Sequence, residues 1–192
     1  DLEGIKSPKV DKYINDMIEA KDTEVFKECI NWALEHVNEF KNVDEEYIRN
    51  ISSNVSNSIT ESTLHGCPPD EIERIASYLL EKKHLHTFVK CNPTILGYET
   101  ARSILDSMGY DYIAFDDHHF KEDLQYSDAV PMFHRLQALA DREGLEFGLK
   151  LSNTFPVDVK AGELPSEEMY MAGKSLFPLT TTMAARLCRG FG

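Results

Sequence analysis

From residue 57 onward the chain alternates short β-type runs with amphipathic helical runs, and nothing else in the sequence limits the fold as tightly. "NSITEST" (57–63), "HTFVKCN" (86–92), "DYIAFDD" (111–117) and "LEFGLKLSNTF" (145–155) read as strands. Helical patterns fill the gaps: "PDEIERIASYLLEKK" (69–83), "GYETARSILDSM" (97–108, stopped by Gly109) and "SDAVPMFHRLQALADRE" (127–143, ended by Gly144). A polar stretch at 156–175, long enough to be functional or flexible, precedes a last helix at 178–188. Four βα units of this kind imply an α/β fold with a parallel sheet and right-handed crossovers, either doubly wound or a (β/α)₈ barrel. The strands near 58–63, 87–91, 112–116 and 146–151 are then expected to run parallel as sequential neighbours.

The first 56 residues follow a different rhythm. Val10, Tyr13, Ile14, Met17 and Ile18 line one helix face after the start signals Ser7 and Pro8, and a second helix carries Val25, Phe26, Cys29, Ile30, Ala33, Leu34 and Val37 behind an Asp22 or Thr23 cap. Residues 44–51 form a shorter third helix. Cys29 and Trp32 read as packing residues. The expected organisation is a helical segment at 1–56 and four βα units at 57–192, in one structural domain; at 192 residues and 42% hydrophobic content the chain supports one sizeable core rather than two.

Charge narrows the partners. A net charge of −13 does not supply the clustered Lys and Arg that nucleic-acid phosphates need. No apolar run approaches the roughly 20 residues that cross a bilayer. The four cysteines, Cys29, Cys67, Cys91 and Cys188, form no CxxC pair, so reduced thiols in a cytoplasmic protein are expected.

Ligands of parallel α/β folds gather at the strands' C-terminal ends, and here each of those ends bears reactive side chains. The first carries Thr63, His65 and Cys67; the second Lys90, Cys91 and Asn92; the third Asp116, Asp117, His118 and His119; the fourth Lys150, Ser152 and Asn153. Cys67 stands just before a proline-started helix whose dipole lowers a thiol pKa, while Asp70 and Glu71 in its first turn oppose that; if the dipole wins, Cys67 is the most readily alkylated of the four thiols. His65 or His118 suits acid–base work beside it. Lys90 and Lys150 sit inside apolar strands, where an ammonium must reach a counter-charge or an electron-rich ligand. Asn92 and Asn153 offer donor and acceptor to a planar heterocycle. "FDDHHF" has metal-ligand types, but strand alternation sends neighbours to opposite faces, and no metal is expected.

Several long blocks, "DLEGIKSP", "STLHGCPPDEIERIASYLL", "FVKCNPTILGYE", "YIAFDDHHFKEDLQY", "FGLKLSNTFPV" and "LPSEEMYMAGKSLFPLT", together resemble the YgfK family of selenate reductase subunits across essentially the whole chain. That resemblance implies part of a TIM-type barrel, like those of dihydroorotate and dihydropyrimidine dehydrogenases, within a longer polypeptide that also carries iron–sulfur clusters, FAD and an NAD(P)H site. It implies FMN on the barrel of the parent protein. "FVKCNP" is similar to the flavin-contacting Lys strand, which maps Lys90, and "LKLSNT" to a second flavin-facing strand end, which maps Asn153; Cys67 is the nearest counterpart of the acid–base Cys. The implied partners are a small-molecule substrate and other domains or subunits of an oxidoreductase complex. The flavin phosphate would rest on later βα loops, so this chain alone is expected to hold no cofactor. A barrel that serves only as a docking scaffold in such a complex is the alternative.

Overall fold

The backbone divides into two compact units, Asp1–Ile59 and Thr60–Gly192. The structure is a computed structural model and describes residues 1–63 and 65–191. The first unit consists of α1 (Leu2–Ile5), α2 (Pro8–Ile18), α3 (Glu24–Glu35) and α4 (Glu45–Arg49). Its helix starts follow the sequence signals. Pro8 opens α2, the Thr23 hydroxyl accepts from the Phe26 amide at 3.2 Å, and the Asp44 carboxylate accepts from the Tyr47 amide at 2.8 Å. Cys29 and Trp32 do not pack into a core as expected. Both are exposed, α3 buries none of its side chains, and Trp32 instead stacks on His36 with ring centroids 4.2 Å apart. The five-residue α4 is too short to cover the apolar face of the twelve-residue α3.

The second unit carries the βα alternation. β1 (Ser58–Glu61) crosses the division, and α5 (Pro69–Glu81), β2 (His86–Cys91), α6 (Tyr98–Ser107), α7 (His118–Glu122), α8 (Tyr126–Glu143), β3 (Phe147–Leu151), β4 (Phe155–Asp158), β5 (Glu168–Met171) and α9 (Phe177–Gly190) follow. The sheet runs β1-β2-β3, and β2 pairs with β3 in parallel from Thr87↔Phe147 to Cys91↔Leu151. Alternation along β2 sends Thr87, Val89 and Cys91 into the core and leaves Phe88 and Lys90 half-buried on the other face. On the core side Val89 and Cys91 join a cluster that includes Ile72, Ala76 and Leu80 of α5 and Met132, Phe133 and Leu136 of α8. Each large apolar side chain buried there stabilises the unit by about 1.5–3 kcal/mol. α9 adds Leu179, Met183 and Leu187 to the same cluster. Arg186 of α9 donates to the Leu96 carbonyl at 2.8 Å and lies 4.3 Å from the Tyr126 ring centroid, while the Tyr126 hydroxyl donates to the Arg186 carbonyl at 3.1 Å.

Two expectations need correction. Residues 111–117 do not form a strand, and β2 pairs directly with β3 rather than with them. Carbonyls of this segment and of Tyr110 just before it are satisfied elsewhere: Arg102 donates to Ile113 O at 2.6 Å and Tyr110 O at 3.0 Å, and the Asp158 amide donates to Ala114 O at 2.8 Å. "DDHH" is accordingly a helix start, with the Asp116 carboxylate accepting from the His118 amide at 2.9 Å, so strand alternation does not govern its side chains. The polar stretch after residue 155 is not irregular throughout, because β4 and β5 pair antiparallel from Phe155↔Met171 to Asp158↔Glu168.

Candidate active site

The loop between β1 and α5 turns sharply at Gly66, whose φ of 79° favours a residue without Cβ. This turn aims the Gly66 amide and the His65 ring at Asp123, the residue that ends α7. Asp123 is 5% exposed and fully occupied as an acceptor. It receives His65 Nδ1 at 2.6 Å, Gly66 N at 2.8 Å, Thr94 Oγ1 at 2.5 Å and Asn92 Nδ2 at 3.2 Å. Burial acts to raise its pKa, but the bonds from His65, Thr94 and Gly66 outweigh burial and hold the carboxyl below its ordinary value. A lone pair on His65 Nδ1 would repel the carboxylate at this distance, so Nδ1 carries a proton, and in the neutral ring Nε2 presents a lone pair. Nε2 is buried without a partner among the described residues.

Asn92 is also tied in. Its Oδ1 accepts from Asn153 Nδ2 at 3.0 Å, Asn153 Oδ1 accepts from the Thr154 amide at 2.9 Å, and the Asn153 amide donates to the Cys91 carbonyl at 2.9 Å. A cavity of about 10 Å³, room for about one water, lies among Thr63, Cys67, Lys90, Asn92 and Asp123. The C-terminal ends of β1 and β2 and the end of α7 thus meet at one place.

The Cys67 thiol is half-buried, and its pKa is pushed up by burial and then by the carboxylates of Glu61, Glu71 and Asp70. Burial and the acidic surroundings both act against the lowering expected of the helix dipole. A thiol in this setting keeps its proton at neutral pH, which suits a proton donor and not a nucleophile. Cys91 is sealed in the core and pushed up to about 12 by burial. Glu61, the last residue of β1, is 6% exposed with neither carboxylate oxygen hydrogen-bonded among the described residues; burial and then the Glu71 charge raise its pKa to about 8.

Lys90 and Lys150 are cross-strand partners on the face opposite the core, Lys90 half-buried and Lys150 exposed. Neither pairs with a carboxylate among the described residues. One step back along the same face, Phe88 lies against Gly148, where an added Cβ would stand 2.6 Å from Phe88 Cε1.

The structure therefore brings Cys67, Lys90 and Asn92 together at one cavity, joins His65 to them through Asp123 and Asn92, links Asn153 through Asn92, and leaves Lys150 beside Lys90 but outside the cavity lining. His118 is not drawn in: it is exposed and 3.5 Å from Glu122. The ring that faces His65 is that of His119, with centroids 5.0 Å apart, and Tyr170 of β5 stacks near His65 at 6.4 Å. Asp123, Thr94 and Glu61 escaped the sequence reading, while His119 was named at its strand end without the role given to His118. Asp123 stands in the acidic run "KEDLQY", where nothing separates a buried carboxylate from a solvated one. Among the described residues no group of three or more His, Cys, Asp or Glu is placed to hold a metal ion.

A family model described as "Oxidoreductase YgfK, N-terminal TIM-barrel domain" matches residues 1–192. Among curated proteins the chain is 42% identical over 201 residues to "Putative oxidoreductase YgfK" of Escherichia coli strain K12 and, at the same identity, to its counterpart in Escherichia coli O157:H7. The alignment covers 99% of this chain and 20% of either relative, so the chain spans about one fifth of the length of the curated relatives it matches. No solved structure matches it. With a family model matched from end to end and relatives at 42% identity, the chain belongs to the YgfK N-terminal TIM-barrel family.

Proposed function

We propose that this chain is the barrel region of a flavin-dependent, NAD(P)H-linked iron–sulfur oxidoreductase that acts on a small substrate. The observation that carries this reading is the Lys90–Lys150 pair. Like charges on neighbouring strands destabilise a sheet, and two ammonium groups with no carboxylate between them favour an anionic or electron-rich ligand on that face. The flat surface of Phe88 against Gly148 next to the lysines suits a planar ring. FMN fits this donor set: Lys90 and Lys150 would hold its electron-rich edge. The amides of Asn92 and Asn153 serve instead to fix the site, because each is already bonded within it. When bound, FMN supplies one- and two-electron transfer. The chain's own residues supply charge and protons. Lys90 and Lys150 offset negative charge that develops at the ring edge, His65 takes up or returns a proton at Nε2 while Asp123 holds its Nδ1–H, and Cys67 keeps a thiol proton in reserve at the cavity that Asp123 also lines. The parent polypeptide would bring the iron–sulfur clusters and FAD that pass electrons from NAD(P)H.

The test is FMN titration, followed by flavin fluorescence, of the full-length polypeptide and its Lys90→Ala and Lys150→Ala variants. Binding in the wild type, weakened about tenfold or more by Lys90→Ala through the lost charge-assisted contact, is expected. A full-length protein purified without flavin that also fails to take up added FMN would overturn the proposal and leave the docking scaffold as the better reading.

A further inference from the structure

We propose that His119 and Glu168 extend the Asp123–His65 pair into a proton relay from the site to the surface, in the order Asp123, His65, His119, Glu168. The proposal rests on the reading that chemistry at this site moves protons with electrons. Its basis is a repeated arrangement. Two imidazoles lie side by side, each with one nitrogen on a carboxylate and the other buried without a partner: His65 has Nδ1 on Asp123 at 2.6 Å and Nε2 unpartnered, and His119 has Nε2 on Glu168 at 2.9 Å and Nδ1 unpartnered, among the described residues. The carboxylates require the bonded nitrogens to carry protons, so in the neutral rings both unpartnered nitrogens present lone pairs. An unsatisfied buried acceptor is unfavourable, and two on adjacent rings are accounted for together if a proton visits the space between them. The ring centroids are 5.0 Å apart at 52°, and because the two unpartnered nitrogens do not bond each other a proton crosses between them through one water.

The transfer balances without any redox partner. A proton arriving at His65 Nε2 gives an imidazolium that stays anchored by Nδ1–H to Asp123. That proton passes to His119 Nδ1, and His119 releases its Nε2 proton to Glu168 Oε1. Glu168 is 53% exposed and passes it to water, so one proton leaves and no charge remains behind. The step leaves His119 as its Nδ1–H tautomer, and the first tautomer returns when the path next carries a proton inward. Run backwards, the same steps deliver a proton. The groups that surround the relay are Tyr170, Asn92 and Asp123 around His65, with Glu122 beside Gly66, and His118 and Glu168 around His119.

Histidine-selective ¹⁵N NMR of this chain tests the relay without any ligand. His65 is expected in the Nδ1–H tautomer and His119 in the Nε2–H tautomer. His119→Gln should slow exchange of the His65 ring proton with water severalfold, whereas His118→Gln should leave it unchanged. Glu168→Gln, an exposed change that spares the fold, should slow the same exchange severalfold. Unchanged exchange in His119→Gln or in Glu168→Gln, or the opposite tautomer in either ring, overturns the relay. These readings are independent of FMN. Linked exchange in a protein that binds no flavin would sink only the flavin reading, and flavin binding with unlinked exchange would sink only the relay.

Discussion

Among single residues, Glu61 departs furthest from its ordinary chemistry. Its carboxyl titrates near 8 in the folded chain against about 4.3 in an unfolded one, so between those values the native state holds a proton that the unfolded state has lost. Stability linked to Glu61 is fully present below about pH 4.3 and is lost as pH rises toward 8, at up to about 1.4 kcal/mol per pH unit. Glu61→Gln should flatten that slope and raise the melting temperature at pH 8, checked by thermal unfolding of both proteins across pH 5–9; an unchanged slope would place the carboxyl in water. Asp123 has the opposite sign. Its depressed pKa contributes stability above the ordinary carboxyl range, and that contribution disappears as pH falls through the folded value. These two acids also mark the limit of what a sequence reveals. His65, Cys67, Lys90 and Asn92 stand out because they follow strand patterns at the end where ligands gather. Asp123 and Glu61 do not, since an Asp after "KE" and a Glu inside "SITEST" look the same whether solvated or sealed, and only packing separates the two.

Arg102 decides the largest departure at the level of elements. "DYIAFDD" has the composition of a strand, and tertiary contacts override that preference. The guanidinium takes the carbonyls of Tyr110 and Ile113, bonds Asp106 at 2.7 Å and lies 4.6 Å from the Phe115 ring centroid, so the stretch is held to α6 and not to a neighbouring strand. Lysine cannot reproduce this fork. Arg102→Lys should therefore speed amide hydrogen exchange across 110–116 while leaving β2 and β3 protected, a pattern that exchange mass spectrometry resolves; uniform protection in the variant would mean that the segment is held by other contacts. The remaining elements of the second unit were largely legible. α5, β2, α8 and β3 carry long, consistent periodicities, although the direct pairing of β2 with β3 was not foreseen. β4 and β5 were hidden because the sequence between them, "VKAGELPSE", is rich in turn formers and masks two four-residue strands.

Taken whole, the molecule agrees with the α/β alternation and the parallel sheet inferred from pattern alone, and with its family's TIM-barrel description. Among the described residues no helix is long and apolar enough to cross a membrane. The second unit is closed by its last element: Leu179, Met183 and Leu187 fill the shared core, and together they contribute roughly 5–9 kcal/mol, comparable with the entire stability of a typical domain. Deleting residues 176–192 should abolish cooperative urea unfolding of Thr60–Ser175, and a retained sharp transition would show that α9 is dispensable. The clasp of Arg186 on Leu96 and Tyr126 spans 90 and 60 positions of chain. On the ribosome, such contacts cannot form until the far end of the unit has left the exit tunnel. The sheet and its three long helices must then wait, with apolar surface uncovered, for one late helix to arrive, and the pace at which residues 177–190 emerge from the tunnel becomes part of how this unit reaches its native state.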